Sequence, residues 1–445
     1  MLNNFGIAIK EEGCPCGKSH RVILPEVICG RGVISAVSDA VKRLGGKKAF
    51  VLADPNTYDA AGRAVCGCLE ESGISYALHV IAEKRPIPGE KTVGSVMMHF
   101  DCSCDTVIAV GSGVINDVAK IVATRAGLKF ITVATAPSMD GYASATSSVI
   151  LDDLKQSLAT TCPKIIIGDT DILCRAPHEA LISGLGDMIA KYISICEWRI
   201  SHIVTGEYYC EAVASLVRDS LEKCVSHADG LISGDPEAAE AVFSGLVTSG
   251  LAMNYAGMSR PASGVEHYFS HIWDMRAVSY GDSESTHGIQ CAIATLITAR
   301  MYEDLVKETP DIRLATENAE NFDREKWYEK LHGYLGKNAE PMIALDRRLD
   351  RYSPADQKKR FDRIASHFDE IKRIVSEEIP PSAEIERLLD LIGCPKTPHE
   401  IGIDESKQGL VFAATKDIRD KYILSTLLWD MGLLDRYADR IEKYI

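Results

Sequence analysis

No apolar run in this 445-residue chain approaches the roughly 20 residues that a membrane-spanning helix needs, so no membrane span is expected. A basic stripe is missing too. Lys and Arg number 49 against 63 Asp and Glu, a formal charge of -14, which excludes a general nucleic-acid binder. It does not exclude an anionic substrate, because helix N-termini and a few placed cations hold phosphate inside an acidic protein. The opening MLNNFGIAIKEEG lacks the basic stretch and apolar core of a secretory leader. Internal repeats and low-complexity linkers are absent as well.

What is present fits a soluble globular protein of two or three domains, with 46% hydrophobic and 25% charged residues. Fourteen cysteines without a leader read as reduced thiols, and a cytoplasmic location is expected. Three C-x-C pairs occur, Cys14/Cys16, Cys66/Cys68 and Cys102/Cys104. Only Cys14-Pro15-Cys16-Gly17 is followed by a histidine, His20. Those three side chains are possible zinc ligands, but the spacing is weaker than C-x-x-C and no fourth ligand is nearby in sequence. The plainer reading is a turn between two short strands.

Up to about residue 170, short apolar runs alternate with helical stretches. Strands are expected at 48–54, 75–81, 106–110 and 129–133, with a helix at 58–72, which implies βαβ units and a parallel sheet. Residues 156–159 and 164–167, with Pro163 between them, read as a hairpin closing this domain. From about residue 175 the apolar period moves to about 3.6, and helices are expected at 178–202, 205–228, 236–256, 287–306, 355–377 and 380–393. The fold expected is an α/β domain with a parallel Rossmann-like sheet, residues 1–174, followed by an all-α domain, residues 175–445. Residues 307–404, rich in charge and poor in glycine, read as solvated helices.

Three constellations carry chemistry. Gly111-Ser112-Gly113-Val114-Ile115-Asn116-Asp117 follows a strand and opens a helix, where glycines let the backbone approach a pyrophosphate. The third glycine of the usual fingerprint is not matched, and a plain strand-to-helix turn fits equally. Asp54, at the end of an earlier strand, is placed to accept hydrogen bonds from an adenosine ribose, which modestly favours NAD over NADP. Thr135-Ala136-Pro137-Ser138-Met139-Asp140-Gly141-Tyr142-Ala143-Ser144 again lies at a strand end. Finally, Gly184-Leu185-Gly186-Asp187 puts a carboxylate in a helical stretch. His267, His271 and His287 fall within about 20 residues, and a pair four apart shares one helix face, a common metal-ligand spacing.

Together these segments resemble the iron-containing alcohol dehydrogenase and dehydroquinate synthase superfamily. Within it they are most similar to the bacterial sn-glycerol-1-phosphate dehydrogenase (AraM-type) branch. The stretches GSGVINDVAK, ATAPSMDGYASATSS, GLGDMIAKY, SRPASGVEHYFSHIWDM and HGIQCAIAT stand in the expected order between about residues 48 and 300. The CPCGKSH start also looks like that branch.

The resemblance implies that Asp187, His267 and His287 bind one divalent metal, zinc, nickel or iron. It implies that Asp140, Asp187 and His271 contact substrate, with Asp187 and His271 in the catalytic set. Asp54, Gly111, Ser112, Gly113, Asn116, Asp117, Thr135, Ser138 and Ser144 would contact NAD or NADP. The implied reaction is metal-assisted reduction of dihydroxyacetone phosphate to sn-glycerol 1-phosphate by a homodimer. A polyol or glycerol dehydrogenase is the nearer alternative and a dehydroquinate-synthase-like cyclase the more distant one. Arg260 is a candidate for the phosphate, with a structural salt bridge as its other reading.

Overall fold

The computed structural model describes residue 9 and residues 12–22, 24–152, 154–282 and 285–445. Two compact units emerge, one of Met1–Met188 with Ala212–Met258, the other of Ile189–Glu211 with Ser259–Ile445. Among the described residues no helix is long and apolar enough to cross a membrane.

Among the described residues the first unit is built on eight strands: β1 Glu26–Gly30, β2 Lys48–Ala53, β3 Ser75–Val80, β4 Thr106–Gly111, β5 Lys129–Ala134, β6 Thr146–Leu151, β7 Leu154–Ala159 and β8 Ile165–Asp169. Six form one sheet in the order β1-β8-β5-β4-β2-β3, every neighbouring pair parallel. Alternate residues enter opposite cores. Val51, Ile108, Ile131 and Ile167 pack on one face, and Phe50, Leu52, Val107, Ala109 and Phe130 on the other. Burial on both faces explains why these strands read as unbroken apolar runs rather than alternating ones.

The chain leaves β2 toward β3 on one side and continues from β4 toward β5 and β8 on the other. The switch in direction therefore lies between β2 and β4, whose carboxyl ends flank the crevice that open α/β sheets use for ligands.

Residues 146–159 correct one expectation. The antiparallel hairpin is β6 with β7, whereas Ile165–Asp169 is a central strand inserted between β1 and β5. Gly168 lets it sit there, since a Cβ would come 2.3 Å from the Phe243 ring. Cys14–Gly17 does turn, but among the described residues up to Pro25 no strand flanks it.

In the second unit the helices Val265–Tyr280 and His287–Leu305 carry the candidate residues His267, His271 and His287. The latter is buried almost throughout, which its nearly all-apolar circumference requires. Gly281, at φ +70, ends the former in a left-handed cap. The charged stretch forms helices at Ile312–Asn321, Arg324–Leu335, Ala339–Leu349, Pro354–Glu378 and Ser382–Ile392.

Candidate active site

In the first unit the expected nucleotide residues gather at the carboxyl ends of adjacent strands. Gly111 ends β4, and a Cβ there would lie 2.5 Å from that of Ile115, so only glycine permits the turn into the helix Gly113–Ala126. Ser112 is the N-cap residue of that helix without a side-chain cap bond, which leaves its first amides open to an anion. The Thr135 amide reaches the Gly111 carbonyl at 3.4 Å. Asp54, after β2, is buried and closes a capping box: Oδ1 accepts from the Thr57 amide at 2.9 Å while the Thr57 hydroxyl accepts from the Asp54 amide.

Asn116 and Asp117 face other partners. The Asn116 carboxamide oxygen accepts from the Thr132 hydroxyl at 2.8 Å, in the core. Asp117 accepts from the Ser148 amide of β6 at 3.2 Å and lies 3.9 Å from Lys120 Nζ. Burial raises its carboxyl to about 6, with Lys120 opposing.

Lys120 was not singled out in the sequence, yet it holds the 140–146 loop. Its fully buried ammonium donates to the Gly141 carbonyl, the Ser144 hydroxyl and the Thr146 carbonyl at 2.5, 3.0 and 3.1 Å. The signal was available: a lysine inside the apolar run Val118–Ala123 has no solvent face to occupy.

The helix His178–Ile189 brings Asp187 to the same loop. Asp187 is fully buried, and its Oδ2 accepts from the Asp140 amide at 2.9 Å. The Asp140 carboxylate accepts from the Ser249 hydroxyl at 2.9 Å, and the Ser138 carbonyl from the Ser183 hydroxyl at 3.0 Å. Two glycines make this approach possible. A Cβ on Gly184 would sit 1.7 Å from the Pro137 carbonyl oxygen, and one on Gly250 would sit 2.8 Å from that of Asp140.

In the second unit two imidazoles are each oriented from behind. His267 Nδ1 lies 2.7 Å from Glu266 Oε1. His287 Nδ1 lies 3.0 Å from the Ser270 hydroxyl. That hydroxyl donates to Gln290 Oε1 at 2.6 Å, and the Gln290 amide donates to Asp274 Oδ1 at 3.1 Å. A serine whose proton is committed accepts from Nδ1–H, so both rings are fixed in the tautomer that leaves Nε2 as a lone-pair donor. Carboxylates terminate both relays, the usual support of a metal-binding histidine.

His267 and His287 have ring centroids 5.0 Å apart. Each offers a donor atom within 4.8 Å of the other and of Cys291 Sγ. The His271 ring stacks on that of His287 at 6.3 Å. Cys291 was missed in the sequence, although it follows His287 by one helical turn. Burial raises its thiol, but His267 and His287 outweigh this and the net shift is downward.

Behind His267 stand two buried carboxylates. Glu197 accepts the Val265 amide at 2.9 Å, and Glu266 accepts the Gly264 amide at 2.7 Å. Burial, then the neighbouring Glu266, pushes Glu197 up to about 8. Arg260 takes the structural of its two readings. Its buried guanidinium donates to Glu207, the Tyr422 carbonyl and the Ser201 hydroxyl at 2.9, 2.9 and 3.1 Å.

Residues 28–177 match the family model described as iron-containing alcohol dehydrogenase. The glycerol-1-phosphate dehydrogenase (NAD(P)+) of Bacillus licheniformis is 33% identical over 72% of this chain and 79% of its own length. That of Pyrococcus furiosus is 35% identical over 62% of this chain and 78% of its own. The chain belongs to the glycerol-1-phosphate dehydrogenase family. Solved structures extend the likeness in fold alone. A glycerol dehydrogenase from Schizosaccharomyces pombe has a TM-score of 0.60 at 19% identity, covering 95% of this chain and 92% of its own. An iron-containing alcohol dehydrogenase from Thermococcus thioreducens has a TM-score of 0.61 at 15% identity, covering 94% and 99%. The fold class is the one expected from the sequence, a parallel-sheet α/β region followed by helices, but residues 175–188 and 212–258, expected with the helical domain, belong to the first unit.

Proposed function

We propose that this chain reduces dihydroxyacetone phosphate to sn-glycerol 1-phosphate, reversibly, with NADH or NADPH and one divalent metal. The observation that carries the reading is the pair of relays behind His267 and His287, which commit both Nδ1 atoms and leave both Nε2 atoms as ligands. With Asp187 they form the proposed ligand set. Two imidazoles and a carboxylate suit zinc, nickel or iron(II). When bound, the ion supplies a Lewis acid for the ketone oxygen.

The residues of the chain do the rest. The Asp140 amide occupies one oxygen of Asp187 and orients the other. His271, beside His287, positions the substrate hydroxyl and relays its proton, while Asp140 contacts substrate. Gly111, Ser112 and Gly113 admit the pyrophosphate to the helix N-terminus. Thr135, Ser138 and Ser144 line the nicotinamide side, and Asp54 keeps Oδ2 for the ribose. Asn116, bonded to Thr132, and Asp117, bonded to Ser148, brace the helix that follows that turn. The phosphate falls to groups other than Arg260. A cytoplasmic homodimer is the proposed state.

The test is nicotinamide oxidation by metal-loaded protein with dihydroxyacetone phosphate, unphosphorylated dihydroxyacetone, and a sugar phosphate. Oxidation with the first alone, giving the sn-1 enantiomer, is expected. Inactivity toward every carbonyl at full metal loading, or the sn-3 product, overturns the proposal. His271→Ala should lower turnover and keep the metal, whereas His287→Ala should lose it.

A further inference from the structure

The segment Cys14–His20 has no part in the chemistry above, yet its side chains converge. Cys14-Pro15-Cys16-Gly17 is a tight turn closed by the Gly17 amide donating to the Cys14 carbonyl at 3.0 Å. Proline presets the second position, and Gly17 takes φ +78, the left-handed region that glycine enters without strain. One donor atom each from Cys14, Cys16 and His20 lie within 4.8 Å of one another. Cys16 Sγ is 3.2 Å from His20 Nε2.

The histidine decides the chemistry. His20 is 1% exposed, and its Nδ1 lies 3.0 Å from the backbone carbonyl of Tyr255, near the end of the helix Pro236–Ala256. A carbonyl only accepts, so Nδ1 carries the proton and Nε2 presents its lone pair on the side of the sulfurs. An Nδ1–H fixed by a carbonyl with Nε2 facing thiols is the arrangement of a ligating imidazole. A thiol–imidazole hydrogen bond would account for the Cys16–His20 contact alone. It does not account for the second sulfur in the same cage.

We propose that Cys14, Cys16 and His20 bind a divalent metal ion, preferentially zinc, at a structural site built from residues separate from the proposed catalytic ligands. Two thiolates and one imidazole select a soft, tetrahedral ion over magnesium or calcium. Three corners come from this segment, and a further thiolate or a water completes the fourth. The ion would fasten the turn to the helix Pro236–Ala256 through the His20–Tyr255 bond.

Metal per chain, by mass spectrometry of the zinc-loaded full-length protein, is the first measurement. Cys14→Ser/Cys16→Ser should lose one equivalent relative to the parent. Failure of the catalytic reading would appear separately, as an unchanged metal content in His287→Ala. In the cobalt-loaded protein the sulfur-to-cobalt charge-transfer band should vanish in the double variant and persist in Cys291→Ser. A second measurement needs no variant. With zinc bound, Cys14 and Cys16 should alkylate slowly under native conditions, and rapidly after a chelator. Unchanged metal content in the double variant, or equal alkylation with and without metal, overturns the site.

Discussion

The backbone amide of Asp140 donates to Oδ2 of Asp187 at 2.9 Å, joining a loop after β5 to a helix 47 positions later. The bond is possible because glycine stands at both contacts that bring the loop in, Gly184 beneath Pro137 and Gly250 beneath Asp140. Gly184 precedes Asp187 by three residues and so shares its helix face. The motif Gly-Leu-Gly-Asp is thus a close approach followed by the carboxylate which that approach orients.

Gly184→Ala should break this arrangement. The added methyl meets a carbonyl oxygen of the main chain, which cannot swing aside as a flexible side chain would. A stability loss of about 1–3 kcal/mol is expected from overpacking. Displacing the Asp140 loop should also lower kcat/KM by about 100-fold. Chemical unfolding and steady-state kinetics check the two effects; unchanged kinetics would show that the loop does not orient Asp187.

Glu266→Gln separates orientation from stability. The carboxylate behind His267 strengthens the imidazole as a donor, and its loss should weaken metal binding by about 10- to 100-fold. Glu266 also raises the buried Glu197, so the metal-free variant should be no less stable than the metal-free parent. Chelator competition and thermal unfolding of the apo forms measure these effects. A variant that binds metal as tightly as the parent rules out the relay.

The sheet was legible where physics is local. Runs such as Thr106–Gly111, buried on both faces, announce central strands. Asp235-Pro236 and Gly257 mark the ends of a 21-residue helix. The hairpin was misread because Pro163 signals a turn but says nothing about partners. The pairing of Ile165–Asp169 with β1 depends on contacts more than a hundred residues apart. The histidines were legible as a cluster, and the division of labour proposed for them comes from the resemblance. The relay Ser270–Gln290–Asp274 was not, since no period joins a serine on one helix to a glutamine on the next. Cys291 was hidden by being one buried cysteine among many.

Asp117 should give the stability of the protein a pH signature. Its carboxyl is raised by burial to about 6, above the unfolded value near 4. A raised folded value contributes stability that is fully present below about pH 4 and lost as pH rises through about 6. Asp117→Asn removes that dependence. Between these limits the stability difference between parent and variant should therefore move in favour of asparagine, by up to about 3 kcal/mol. Urea unfolding of both proteins across the window measures it, and a pH-independent difference refutes it.

Lys120→Met tests whether a buried cation positions the 140–146 loop for the proposed nucleotide site or merely fills the core. Methionine matches the aliphatic stem, but it abandons the Gly141 and Thr146 carbonyls and the Ser144 hydroxyl. It also leaves Asp117 without the nearby cation. Stranding these groups in a fully buried setting should cost about 3 kcal/mol. A purely structural lysine would show that loss with nucleotide binding intact. A positioning lysine releases Ser144 and the backbone around it, so the KM for nucleotide should rise by about tenfold or more while metal content holds. Calorimetric binding of NAD(H) and NADP(H) to the folded variant decides between the two, and unchanged affinity for both would confine Lys120 to the core.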